Sequence, residues 1–232
     1  MHERLTQRTS LFRTVQRGPD AIQDFGQTVR ALEGNHNLDS EIHVCPYVGF
    51  VDGRHACIGC MLHPVAPGNE GKDLRGLCYY GSLACKTFYC DSWRSLPLHC
   101  QSILADLIDD WHLWGLVATD RDFVVLLFSL LENMLGCSID DRVTRDTKTK
   151  SLLITMLNWK DSWPPAHGYL QRKSRYYVSP QFMKPEQDPN TIIIALIPCI
   201  DFTYGTSTSF SDGAHIIRSA AHNFIEAYRS GP

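Results

Sequence analysis

Six of the nine cysteines, Cys45, Cys57, Cys60, Cys78, Cys85 and Cys90, fall in one stretch interleaved with glycine, proline and aromatic residues. Thiolates are soft anionic ligands, and a group of them can close a tetrahedral zinc shell or hold an iron–sulfur cluster. Cys57-Ile58-Gly59-Cys60 can offer two sulfurs from one turn, where a curling backbone aims its amides at them. Spacing alone therefore pairs Cys57 and Cys60 with Cys85 and Cys90. On a regular helix Cys85 and Cys90 would point about 140° from each other. If both grip one ion, the chain must leave helical geometry between them. His63 follows Cys60 closely and precedes Pro64. It can replace a thiolate or hydrogen-bond the backbone around the cluster, and the second role is the expectation.

The run Cys45-Pro46, then Asp52-Gly53, then Gly59-Cys60-Met61-Leu62-His63-Pro64, then Cys85-Lys86-Thr87-Phe88-Tyr89-Cys90 resembles the cysteine-cluster proteins described as zinc- or iron-chelating. In that family a Cys-Pro start, a short turn, one cysteine, a step into proline and a closing cysteine pair follow in the same order. Carried over, the resemblance implies Cys45, Cys60, Cys85 and Cys90 as ligands, with Cys57, Cys78 and His63 as alternates. It covers about a fifth of the chain. The family's crowded N-terminal cysteines are missing here, the final spacing is looser, and the resemblance implies no defined activity. Ferredoxin-type cysteine runs are absent, which favours zinc; four spread cysteines can also hold a cluster, so iron–sulfur stays open.

Disulfides explain the cluster less well. The cysteine total is odd, Met1-His2-Glu3-Arg4-Leu5 has no apolar core of an export signal, and no Asn-x-Ser/Thr acceptor occurs. The expected compartment is the cytoplasm, where dense thiols read as metal-binding or catalytic. Cys100, Cys137 and Cys199 lie singly on apolar stripes or runs and read as small buried hydrophobes.

A net charge of -3 gives no global footprint for nucleic acid or an anionic membrane. The longest apolar stretch, Phe123 to Leu131, is too short to span a bilayer. Helical periodicity predicts a helix from Gly18 to Gly34, another from Pro97 to Leu116, a buried one over 121–135 opened by a Thr119/Asp122 capping box, and one over about 144–160. A short strand is expected over His43 to Val51 and a loop over Pro64 to Gly76. The β-branched run Thr191 to Ile197 reads as a buried strand, with a short helix as the alternative. Ser211-Asp212 then opens a last helix.

Other constellations carry less chemistry. His215 and His222 stand two turns apart on that last helix, about 10 Å along its axis, too far to share an ion. Arg218, His222 and Glu226 form a solvated face, and Asp109-Asp110-Trp111-His112 diverges around a helix rather than making a dyad. Asp140-Asp141 reads as a helix cap. Tyr204 to Ser209 reads as a flexible loop that could cradle an anion. Tyr169, Arg172, Lys173, Arg175, Tyr176 and Tyr177 combine cations with rings as single-strand binders do, or form a solvated turn.

The sequence thus predicts an α+β protein, a mainly helical body with a small cysteine-rich, loop and short-strand metal-binding insert. Residues 1–42 form an N-terminal helical segment, 43–92 the metal-binding segment, and 93–232 the helical body. The expected function is zinc binding at a structural site serving a protein partner. An iron–sulfur redox protein, a metal-dependent enzyme and a nucleic-acid-binding module are the alternatives. No catalytic constellation is identified.

Overall fold

The computed structural model describes residues 1–34, 44–78, 85, 91–163, 188–200 and 207–231. The chain is mainly helical with one two-stranded sheet, as the sequence predicts. It divides into two compact units, Met1–Phe88 and Tyr89–Pro232.

The first unit opens with α1 (His2–Arg13), a helix the apolar pattern does not reveal. Its inward face is Leu5, Arg8, Thr9 and Phe12, so half of what it buries is polar. Those two polar residues satisfy the next elements: Thr9 Oγ1 accepts the Phe50 amide at 2.8 Å and donates to Leu5 O at 2.8 Å. α2 (Pro19–Glu33) has proline in its first turn and buries Ile22, Phe25 and Val29 at helical spacing. Gly34, with φ 64°, ends it.

The expected strand over 43–51 contracts to β1 (Val48–Phe50), paired antiparallel with β2 (Ile58–Cys60) in the register Val48↔Cys60 and Phe50↔Ile58. Asp52 builds the connecting turn by accepting the amides of Arg54, Ala56 and Cys57. Those bonds, led by Cys57, hold its carboxyl below the usual range. The loop over 64–76 is confirmed, and it passes into a short 3-10 turn at Arg75–Leu77. Phe12, Ile22, Phe25, Val29, Tyr47, Met61, Leu62 and Leu74 form the core. Tyr47 reaches across it to donate to Ile22 O at 3.0 Å. Gly26 makes this approach possible, since a Cβ there would stand 2.5 Å from Tyr47 Oη.

The second unit comprises α3 (Asp91–Arg94), α4 (Leu98–Leu107), α5 (Trp111–Ala118), α6 (Arg121–Leu135), α7 (Arg142–Arg145), α8 (Thr147–Leu157), α9 (Pro189–Ile200) and α10 (Ser207–Ser230). α6 is buried almost all round from Phe123 to Leu131, as its composition predicts, and α4, α5, α9 and α10 pack on it. Two tryptophan pairs sit in this unit, Trp93 with Trp114 at 5.0 Å between rings and Trp159 with Trp163 at 5.4 Å.

Four expectations need correction here. The helix over 97–116 is two helices, because Ile108 turns extended and Asp110 caps α5 by accepting the Leu113 amide at 2.7 Å. The cap of α6 is Asp120, which accepts the Phe123 amide, rather than a Thr119/Asp122 box. The run Thr191–Ile197 is helical. Asp188 accepts both the amide and the hydroxyl of Thr191, Pro189 starts the first turn, and burial of Ile192, Ile193, Leu196 and Ile197 outweighs β-branched preference. Finally, Ser211 and Asp212 lie inside α10, which begins at Ser207. Among the described residues no helix is long and apolar enough to cross a membrane.

Candidate metal centre

The hairpin positions the first two thiols. Cys45 lies in the turn entering β1, where the Val48 amide donates to Cys45 O at 3.4 Å. Cys60 ends β2, directly opposite Val48. Both thiols therefore emerge at one end of the sheet. Near each sulfur stand backbone N–H groups that pull its pKa down against the effect of burial: Tyr47 at Cys45, and Leu62 and then His63 at Cys60. Hydrogen bonds of this kind favour a charged thiolate over a thiol.

Each turn is held from behind by a buried polar side chain. Arg8, on α1, donates from Nη1 to Cys45 O at 3.1 Å and Val48 O at 3.3 Å. The rest of its guanidinium grips Glu33 of α2 through both carboxylate oxygens, and this bond holds the Glu33 carboxyl below its usual range. Asn69, 1% exposed, donates from Nδ2 to Met61 O and His63 O, both at 2.8 Å, and accepts from Arg17 Nε at 2.9 Å. These bonds fix the Cys60–His63 turn to the loop that follows it.

The third thiol arrives along the same loop. The Leu74 amide donates to Leu62 O at 3.0 Å, and the 3-10 turn then carries the chain to Cys78. Cys78 Sγ stands 3.2 Å from Cys85 Sγ. Cys45, Cys60 and Cys78 all pack against the apolar core of this unit. Burial pushes the Cys45 and Cys60 thiols up, and the sulfurs beside each push further. Arg8 at Cys45 and Arg75 at Cys60 pull the other way. Cys85 is likewise raised, first by burial, then by Cys78, with Cys60 and Cys45 adding to it.

Four thiols thus share one electrostatic neighbourhood. They can be neutral together; all ionised, they would repel unless a cation stood among them. Among the described residues no group of three or more His, Cys, Asp or Glu side chains converges on a single metal position.

Of the ligands implied by resemblance, Cys45, Cys60 and Cys85 belong to this group and Cys90 lies outside the described residues. Cys78, an alternate by sequence, is in the group. Cys57 is exposed on the hairpin turn. His63 Nδ1 accepts the Val65 amide at 3.3 Å.

The remaining candidates do not build an active site. Cys100 is buried beside His99, and burial, then the Glu132 charge, raise its thiol to about 12. Cys199 is buried as expected, whereas Cys137 is exposed. His112 pairs with Asp161 at 3.2 Å across a half-exposed surface, while Asp110 serves as a cap. His215, Arg218, His222 and Glu226 are solvent-exposed on α10. Asp140 accepts from Arg142 and Tyr228. The segments 169–177 and 204–206 lie outside the described residues. Sequence reasoning missed Arg8, Arg17 and Asn69, and their only signal is that polar residues recur where the fold needs carbonyl partners. No family model, no curated protein and no solved structure matches this chain.

Proposed function

We propose that this chain is a metal-binding protein in which the thiolates of Cys45, Cys60, Cys78 and Cys85 close around one zinc ion. The observation that carries the reading is the gathering of four thiols in one unit: Cys45, Cys60 and Cys78 pack against one core, and Cys78 Sγ stands 3.2 Å from Cys85 Sγ. Without a cation, burial keeps these groups as thiols, and a bound cation would supply the charge that lets them ionise together. The donor set is all sulfur, which suits zinc and other soft cations and disfavours magnesium or calcium.

The Cys78–Cys85 distance fits with a modest adjustment. In a tetrahedral shell with zinc–sulfur bonds of about 2.3 Å, neighbouring sulfurs stand about 3.8 Å apart. Cys78 and Cys85 need to separate by roughly half an ångström to meet that spacing. Four protein ligands leave no open coordination position, so the role is structural: zinc neutralises the converging thiolates and fixes the loop after β2.

Elemental analysis of anaerobically purified full-length protein and its variants tests the reading. Cys60→Ser and Cys78→Ser lose zinc; Cys57→Ser retains about one per chain. Iron and sulfide with visible absorption in place of zinc would turn the site into a redox centre. Full zinc in both Cys60→Ser and Cys78→Ser would remove the proposal.

A further inference from the structure

We infer that Cys78 and Cys85 form a peroxide-sensitive pair whose oxidation to a disulfide releases the metal. The inference rests on the proposed zinc site, but its covalent part is decided separately. The two sulfurs lie at 3.2 Å, seven residues apart in sequence. Among the described residues this is the one thiol-to-thiol contact. The distance is inside the sulfur–sulfur separation of a tetrahedral shell, about 3.8 Å, and outside a covalent bond of about 2.05 Å. The pair therefore stands between two bonding arrangements, and a small movement in either direction reaches one of them.

The other two thiols are built differently. The turn at Cys45 is held by Arg8 and that at Cys60 by Asn69. Cys45, Cys60, Cys78 and Cys85 are all partly exposed, and Cys78 leaves its 3-10 turn with extended backbone. Cys78 and Cys85 are already in contact, which sets them apart from the other described thiols. Loss of two ligands from four leaves a half-shell, and zinc affinity falls with it.

Hydrogen peroxide supplies the two-electron oxidation. One sulfur attacks the O–O bond, which breaks; that sulfur becomes a sulfenic acid and one water leaves. The second sulfur then displaces the sulfenic oxygen, which departs as another water, and the S–S bond forms. Two thiols and one peroxide give one disulfide and two waters. A thiol reductant reverses the change.

The test uses the full-length protein in two samples, zinc-loaded and chelator-stripped. Both are exposed to hydrogen peroxide, quenched by alkylation, digested and mapped by mass spectrometry. The expected result is a Cys78–Cys85 cross-link in each, with one zinc released per disulfide in the loaded sample and rebinding after dithiothreitol. A dominant cross-link between another pair, or oxidation without any cross-link, overturns the inference while leaving zinc binding intact. Failure to load zinc at the outset removes the metal reading, and the stripped sample still decides whether Cys78 and Cys85 pair. Cys57→Ser serves as a control, since its exposed thiol is outside the pair and its loss leaves the cross-link unchanged.

Discussion

With its amide nitrogen on two carbonyls and its amide oxygen on Arg17, Asn69 closes the back of the Cys60 turn. Alanine there leaves Met61 O, His63 O and Arg17 Nε without these partners. A buried polar group left unpaired costs about 1–3 kcal/mol. Asn69→Ala is therefore expected to destabilise the first unit by about 2 kcal/mol in urea unfolding. Supporting residues around a metal typically govern affinity by about 10–100-fold. A loss of that size, measured by chelator competition, is expected for the same variant. Cys57→Ser, changed on the exposed turn, provides the neutral comparison. The cysteines themselves are conspicuous in the sequence because six thiols in one stretch are rare and their chemistry is specific. Asn69 is not, since asparagine in Gly68-Asn69-Glu70-Gly71 looks like an ordinary turn former. Arg8 is hidden in the same way. On a helix this polar an arginine reads as solvated, and only the position of the β1 carbonyls gives it a buried task.

Between elements, the second unit relies on an ion pair that no helical pattern announces. Lys160, just after α8, donates to Asp120 Oδ2 at 2.7 Å and to Cys199 O at 2.8 Å, and both charged residues are buried. Asp120 also caps α6, so the pair joins the end of α8, the start of α6 and the end of α9. Removing one member of a buried pair costs about 3–5 kcal/mol, because the other charge stays behind. Lys160→Met is expected to destabilise the protein by about that amount in denaturant unfolding, and Asp120→Asn added to it to recover part of the loss. An unchanged midpoint for Lys160→Met would show that the pair holds nothing together. At this scale the sequence was readable wherever periodicity was strong. α2 and α6 follow from their apolar spacing, and Gly34 and Gly136 end them where expected. It misled where two local signals competed. Asp109 and Asp110 interrupt a continuous apolar stripe, and the cap prevailed over the stripe. In Thr191–Ile197 the β-branched composition obscured the Asp188-Pro189 start signal, which decided the outcome.

At the scale of the molecule, the described residues form two apolar cores, one under the hairpin and one around α6. The general class, a mainly helical chain with a small sheet, follows from composition and periodicity. That α1 and α2 pack with the cysteine-bearing hairpin does not, because the bonds responsible join residues far apart: Arg8 to Val48, Tyr47 to Ile22, Arg17 to Asn69. Such pairings depend on tertiary approach, which local pattern does not encode. They also tie the candidate metal centre to its own core. Chelation is accordingly expected to loosen the first unit while the core around α6 persists, visible as partial rather than complete loss of protected amides in hydrogen exchange. Uniform loss across both cores would contradict that independence.

The tryptophans have an optical consequence. All five, Trp93, Trp111, Trp114, Trp159 and Trp163, belong to the second unit, and four of them form two close ring pairs. Indole emission therefore reports the second unit and is silent about the first. A single indole introduced beside the hairpin would give the cysteine-bearing half a signal of its own.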